Sequence, residues 1–191
     1  VARAGLDVVV LYPTGMIGPY DFRPSEMGRV VLDYVRGKIP GRVSGGYDFV
    51  DVRDVAYGHL LAALHGLPRE GYILSGEWIS VDDLMKELSL IAGVPMPKVR
   101  IPLSLARAYA GASTWFSARL GTKPLLTNDS LDTLRSNSLV TCDKARRQLG
   151  YRARPIRETL RDTVEWFRKV GMLDGAGSTR TEGAAAKTGA L

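Results

Sequence analysis

The fold of this chain is decided by residues 7–21, which read Asp-Val-Val-Val-Leu-Tyr-Pro-Thr-Gly-Met-Ile-Gly-Pro-Tyr-Asp. Residues 8–12 form an unbroken apolar run rich in β-branched side chains, a pattern typical of a strand covered on both faces in a parallel α/β sheet. The run ends at Pro13, and two glycines and a second proline then allow tight turns. Open α/β sheets bind ligands beyond the carboxyl ends of their strands. The stretch therefore predicts a core strand that opens into a loop, which is either an ordinary turn or part of a ligand site.

Two further stretches narrow these alternatives. Residues 45–56 read Gly-Gly-Tyr-Asp-Phe-Val-Asp-Val-Arg-Asp-Val-Ala, and the later part of the chain contains Lys144-Ala145, Leu149-Gly-Tyr151 and Thr163-Val-Glu-Trp-Phe167. With the Pro-Thr-Gly-Met-Ile-Gly-Pro segment, they resemble the extended short-chain dehydrogenase/reductase superfamily of NAD(P)-dependent epimerases, dehydratases and reductases. The resemblance is strongest to dihydroflavonol-reductase-like and 3β-hydroxysteroid-dehydrogenase-like proteins. The motifs follow the order of that family and span nearly the whole chain.

Two motifs of the family do not occur before residue 13, namely the Gly-rich pyrophosphate loop and the Tyr-x-x-x-Lys pair. The resemblance places residues 1–5 at the end of the helix that carries this Tyr and Lys, so both catalytic residues are expected upstream of Val1. We therefore expect a carboxyl-terminal portion of an enzyme that has no catalytic residue of its own and is inactive in isolation. The alternative is a non-catalytic binding or regulatory module, or a non-functional truncation.

The resemblance implies an α/β fold with two unequal parts. Residues 1–76 are expected to form the end of a Rossmann-like parallel sheet interleaved with substrate loops, and residues 77–173 a smaller, mostly helical substrate-binding lobe. Residues 174–191 contain almost no bulky apolar side chain. Such a segment cannot bury enough surface to offset its ordering entropy, so a disordered tail is predicted.

Hydrophobic periodicity and capping signals predict the individual elements. A carboxylate that accepts the free N–H groups of a first turn is a good helix cap, so Asp54 is expected to cap the helix that follows it. Ser80 and Asp83 form a capping-box-like start. Short strands are expected over residues 49–52 and 71–76, and helices over residues 26–36, 55–64, 81–92, 103–120, 144–149 and 156–170. The apolar stripe of the fourth helix favours a packed helix over one lying on a membrane surface.

The resemblance implies NAD or NADP as the cofactor, with Pro13, Thr14, Gly15 and Met16 in contact with it. The Pro13 carbonyl and the Met16 N–H are expected to hold the nicotinamide carboxamide and ribose, and the Thr14 hydroxyl adds a contact. Hydride would pass between the nicotinamide ring and the hydroxyl- or carbonyl-bearing carbon of a sugar nucleotide or a ketone.

Four residues are expected to contact the substrate. Ser25 and Met27 belong to a segment that lies over the substrate in the family, although inward packing explains Met27 equally well. Resemblance to sugar-nucleotide epimerases places the Tyr47 side chain in the substrate site, where an aromatic hydroxyl suits a pocket of apolar walls with few polar groups. The alternative is that Tyr47 is a turn residue without a role. Arg53 would bind a substrate anion or pair with a neighbouring acid.

Composition restricts the partners. The 191 residues carry a net charge of +6, yet basic and acidic residues are interspersed, which favours a solvated surface over nucleic-acid binding. No secretory signal or long apolar run is present. The single cysteine, Cys142, rules out an internal disulfide, provides no metal-binding spacing, and is interpreted as a buried residue. We therefore expect a cytoplasmic, metal-free protein with a small-molecule substrate, no nucleic-acid partner and no stable membrane insertion. The full-length protein is expected to form a homodimer.

Overall fold

The computed structural model describes residues 5, 7–102, 104–108, 132 and 140–173. Residues 104–108 are helical, whereas most of the predicted helix over residues 103–120 and the whole predicted tail lie outside the described residues. None of the helices in the described ranges combines the length and apolar character needed to cross a membrane. The described strands are β1 (Val10–Pro13), β2 (Gly15–Ile17), β3 (Gly46–Asp51), β4 (Gly71–Leu74) and β5 (Glu77–Ser80), and the helices are α1 (Glu26–Val35), α2 (Val52–His65), α3 (Val81–Ala92), α4 (Asp143–Leu149) and α5 (Ile156–Lys169).

The strands form two small sheets. In the first, β1 and β4 pair in parallel, and the connection between them contains α2. In the second, the strand order is β2-β3-β5, with β3 parallel to β2 and antiparallel to β5. The chain passes directly from the first sheet to the second twice, at Thr14 between β1 and β2 and at Ser75–Gly76 between β4 and β5. The predicted parallel α/β architecture is confirmed.

The expected loop after Pro13 begins later than the sequence predicts. Pro13 is paired with Leu74 in the parallel register, and only Thr14 separates it from the start of β2. The backbone stays paired through this step because the Thr14 N–H donates to the Leu74 carbonyl at 3.2 Å. Proline lacks an N–H donor, but the residue after it still supplies one. The chain leaves paired structure only after β2, at Gly18, whose φ is +156°.

Two apolar clusters cover opposite faces of β3. Side chains alternate along a strand, so Phe49 packs with α1, α3 and α5, whereas Val50 packs with α2, α4 and β4. The first cluster also includes Val31, Tyr34, Leu88, Leu160, Val164 and Phe167, and the second includes Leu61, Tyr72, Leu74, Cys142, Ala145 and Tyr151. Cys142 is 2% exposed, as predicted. The division into parts at residue 76 stays a prediction, since both clusters draw on residues from either side of it.

Helix ends confirm one predicted cap and correct another. The Ser80 hydroxyl accepts from the Asp83 N–H at 3.0 Å and donates to the Asp83 carboxylate at 2.6 Å, so α3 has the predicted capping-box-like start with Ser80 as its cap. The prediction for Asp54 is wrong. Helix α2 begins at Val52, directly after β3, and its cap is Asp51, whose carboxylate accepts from the Arg53 N–H at 2.8 Å.

The prediction that the first strand is covered on both faces is also wrong for the described residues. Leu11 and its partner Tyr72 face the second cluster, whereas Val10, Tyr12 and Ile73 are 42%, 57% and 40% exposed on the other face. In the described part of the chain, helices α2 and α4 pack on one side of this two-stranded sheet only. The β-branched run thus leaves an apolar sheet face open to solvent, which is an aggregation hazard.

The open face predicts different outcomes for neighbouring residues of β4. Ile73→Thr should change the free energy of unfolding of the isolated chain by less than about 0.5 kcal/mol and reduce its aggregation. Leu74→Thr, at a fully buried position, should cost about 3 kcal/mol, because it removes apolar volume and buries a hydroxyl. Urea denaturation and light scattering measure the two effects. Equal destabilisation by both substitutions would show that the face is covered.

Candidate cofactor-contacting segment

The four residues predicted to contact the cofactor lie where the chain crosses between the two sheets. Pro13 ends β1, Thr14 makes the crossing, and Gly15 and Met16 begin β2. Because β1 and β4 are parallel, their carboxyl ends meet at the same edge, beside this crossing. The Met16 side chain is 49% exposed. The structure thus brings the predicted cofactor residues to the edge at which open α/β sheets bind ligands.

A buried carboxylate holds this crossing in place. Asp48, in the middle of β3, is 5% exposed. Its Oδ1 accepts from the Thr14 hydroxyl at 2.6 Å and from the Gly76 N–H at 3.0 Å. Since Thr14 and Gly76 belong to the two crossings between the sheets, one oxygen atom fixes both.

Close packing explains the two glycines at these crossings. A Cβ at Gly15 would lie 2.5 Å from the ring of Tyr47 and 2.9 Å from that of Phe49, so the Tyr47 ring sits directly on the Gly15 backbone. A Cβ at Gly76 would overlap the carbonyl oxygen of Phe49. The first obstacle is a side chain that can be removed by substitution, whereas the second is the backbone of β3.

The predicted substrate residues do not converge on one point. The Ser25 hydroxyl caps α1, accepting from the Gly28 N–H at 3.0 Å and donating to Asp21 at 2.8 Å. Met27 is half-buried against the first cluster, in agreement with the inward-packing alternative. Tyr47 lies against Gly15, next to the cofactor segment. Only Tyr47 is therefore placed beside the predicted cofactor contacts.

Arg53 takes part in an ion-pair network that ties α2 to α5. Its guanidinium pairs with Asp51 at 2.7 Å and with Asp162 of α5 at 2.7 Å. Arg154 makes a second link, since its side chain and backbone N–H both donate to Asp54. This pairing matches the alternative interpretation of Arg53 and supplies the partner that Asp54 has instead of a capping role.

The network shifts the pKa values of Asp51, Arg53 and Arg154. Burial acts to raise the pKa of the Asp51 carboxyl. Hydrogen bonds from the Arg53 side chain and backbone and from Thr159, together with the Arg53 charge, have the larger effect and hold that pKa below its ordinary value. The hydrogen bond to Asp51 raises the pKa of Arg53, and the hydrogen bond to Asp54 raises that of Arg154. Asp51, Arg53 and Arg154 are therefore ionised at neutral pH.

Sequence reasoning missed Asp48, although a signal for it was present. Asp48 stands inside the apolar strand residues Tyr47 to Val50, and an acidic side chain within a buried strand requires hydrogen-bond donors. The identity of those donors could not be inferred, since Thr14 and Gly76 lie 34 and 28 residues away.

No family model matches the chain, but individual proteins do. A putative dihydroflavonol 4-reductase from Synechocystis sp. is 36% identical over 174 residues, which cover 89% of this chain and 51% of that protein. A solved nucleoside-diphosphate-sugar epimerase from Pseudomonas aeruginosa is 28% identical with a TM-score of 0.69, over 89% of this chain and 51% of its own. The chain belongs to the extended short-chain dehydrogenase/reductase superfamily.

These comparisons confirm the family and the fold class that the motifs predicted. The chain spans about half the length of the curated relatives it matches. A more distant member of the same fold, the enzyme WbmF of Bordetella bronchiseptica, was solved in complex with NADH. It is 22% identical with a TM-score of 0.63, over 90% of this chain and 49% of that one. At that identity the likeness concerns the fold alone.

The contact between Tyr47 and Gly15 predicts a coupling between the two residues. Gly15→Ala should lower the free energy of unfolding by about 2 kcal/mol through overpacking. Combining it with Tyr47→Ala should cost less than the sum of the single changes by about 1 kcal/mol or more. Gly76→Ala is the matched control, because its obstacle is backbone and Tyr47→Ala should give no such relief. Urea denaturation of the wild type, the three single variants and the two double variants that include Tyr47→Ala measures the coupling. Additive costs for Gly15→Ala and Tyr47→Ala would contradict the contact.

The lowered pKa of Asp51 predicts a pH-dependent stabilisation. A carboxyl whose folded-state pKa lies below its unfolded value, about 3.9, stabilises the fold above that pH and ceases to do so as the pH falls through the folded-state pKa. Asp51→Asn should therefore cost about 2 kcal/mol at pH 7, because the amide keeps a capping oxygen but loses the ion pair with Arg53, and progressively less below about pH 4. Thermal unfolding from pH 7 to 3 tests this. Asp143→Asn, at an exposed carboxylate, is the control and should have little effect on stability. A loss of stability for Asp51→Asn that is the same at all pH values would contradict the lowered pKa of Asp51.

Proposed function

We propose that this chain forms the carboxyl-terminal part of an NAD(P)-dependent oxidoreductase or epimerase, in which residues 13–16 position the nicotinamide end of the cofactor. The observation that carries the proposal is the location of this segment: it crosses between sheets at the carboxyl ends of two parallel strands and is pinned there by a buried carboxylate. Family membership supports the same assignment. NAD and NADP are equally compatible with these residues.

The residues of this chain suit a positioning role. Main-chain groups in a paired segment lose little conformational entropy when a ligand binds, and they can fix which face of a bound ring meets the substrate. The Pro13 carbonyl is an acceptor for the carboxamide NH₂, and the Met16 N–H is a donor for its oxygen. The cofactor, when bound, gives or accepts hydride. The general acid/base Tyr and its Lys partner are proposed to lie in sequence upstream of Val1.

Tyr47 is proposed as the substrate-facing wall of this site. Its ring rests on Gly15 and contacts Phe49, with ring centroids 5.3 Å apart, so it is held rigidly beside the cofactor segment. Ser25, Met27 and Arg53 are proposed substrate contacts of lower rank, because a helix cap, core packing and two ion pairs already engage them. The proposed substrate is a small molecule with a hydroxyl or carbonyl carbon, such as a sugar nucleotide or a ketone. A cytoplasmic homodimer without a nucleic-acid partner remains part of the proposal for the full-length protein.

Cofactor titration tests this proposal. The purified 191-residue chain should bind NADH or NADPH more weakly than about 1 mM and show no turnover, because the pyrophosphate-binding loop is not among its residues. The intact gene product should contain a Gly-rich loop and Tyr-x-x-x-Lys upstream and should bind the cofactor saturably. Nicotinamide fluorescence reports binding in both cases.

Two outcomes would overturn the proposal. One is tight, saturable NAD(P)H binding by the 191-residue chain alone. The other is an intact gene without an upstream Tyr-x-x-x-Lys, which would favour the non-catalytic alternative.

A further inference from the structure

Asp48 is a buried carboxylate whose observed partners are neutral donors. It is 5% exposed, and the Thr14 hydroxyl and the Gly76 N–H both donate to its Oδ1. In the described part of the chain, no basic side chain forms an ion pair with it, although Asp51 and Asp54 of the same segment are each paired with an arginine. Burying a carboxylate without a counter-charge costs free energy, so its presence at this crossing calls for a specific role.

We infer that Asp48 is a positioning residue that makes the Thr14 hydroxyl an acceptor towards the cofactor. A hydroxyl has one proton to donate and two lone pairs to accept with. The Thr14 proton is directed at Asp48 over 2.6 Å, a short distance typical of a donor facing a carboxylate. Any ligand group that meets this hydroxyl must therefore bring its own N–H or O–H. This inference rests on the proposed function and refines the general contact that the sequence predicted for Thr14.

The carboxamide of nicotinamide satisfies this requirement, because its NH₂ has two donors. With the Pro13 carbonyl, the Thr14 hydroxyl gives the segment two adjacent acceptors. An analogue in which an acetyl group replaces the carboxamide keeps the oxygen and lacks both donors. Asp48 and Thr14 together therefore favour binding of a cofactor that carries the carboxamide over one that carries the acetyl group.

The preference is measured on the intact gene product as the ratio of kcat/KM for NAD(P)⁺ to that for its acetylpyridine analogue. Thr14→Val and Asp48→Ala should each reduce this ratio by about tenfold, the effect of losing one hydrogen bond to a polar ligand group. Thr14→Ser keeps the hydroxyl and should preserve the ratio. Asp48→Asn keeps an acceptor oxygen and should retain it within about threefold. The ratio of the dissociation constants of the two cofactors, measured by fluorescence or calorimetry, should change in the same direction as the ratio of kcat/KM.

Thr163→Val is the matched control, because the buried Thr163 hydroxyl donates to the Thr159 carbonyl at 2.6 Å in α5. It should leave the ratio unchanged even where it lowers thermal stability. If Asp48→Ala does not fold, the comparison of Thr14→Val with Thr14→Ser carries the test alone. A ratio that is unaffected by Thr14→Val in an enzyme that uses NAD(P)⁺ overturns this inference only. An intact gene product that does not bind NAD(P) overturns the proposed function itself.

Discussion

The shared hydrogen bonds of the Asp48 carboxylate are the constraint on which the rest of this structure depends. The chain leaves the β1–β4 sheet for the β2–β3–β5 sheet twice, and the same oxygen atom receives a donor from each crossing. A buried acceptor that lost these donors would pay a desolvation cost. The crossings are therefore fixed relative to one another, and residues 13–16 are held in a defined position at the carboxyl ends of the parallel strands.

Strand β3 transmits this constraint to the helices. Phe49 enters the cluster built by α1, α3 and α5, and Val50 enters the one built by α2 and α4. Asp51, the last residue of the strand, caps α2 and binds Arg53, which in turn reaches Asp162 of α5. Four consecutive residues, 48–51, thus contact both crossings, both apolar clusters and helix α2. A rigid scaffold of this kind suits a segment whose proposed task is to orient a ligand.

The sequence predicted those parts of the structure that depend on local patterns. Helix α3 was predictable because Ser80, Asp83 and Gly93 are local capping signals, and β4 because its apolar run is bounded by glycines. The short strands β2 and β5 were not predicted, because glycine and charged residues mask their alternation and pairing with β3 creates them. Asp51 and Asp54 are equally good caps by type. The choice between them depends on where β3 ends and on Arg154, which lies 100 residues from Asp54. Long-range partners of this kind also explain why Arg53 and Asp48 could not be assigned from sequence.

The central claim, that residues 13–16 lie against the nicotinamide end of the cofactor, is tested most directly by protection of a thiol at position 16. Cys142 is buried, whereas Met16 is 49% exposed. A thiol introduced by Met16→Cys in the intact gene product should therefore react much faster than Cys142. Saturating NAD(P)⁺ should slow its labelling, followed by peptide mass spectrometry, by about tenfold or more. Labelling of Leu90→Cys, at an exposed position of α3, should be unchanged. Equal labelling of Met16→Cys with and without bound cofactor would contradict the account.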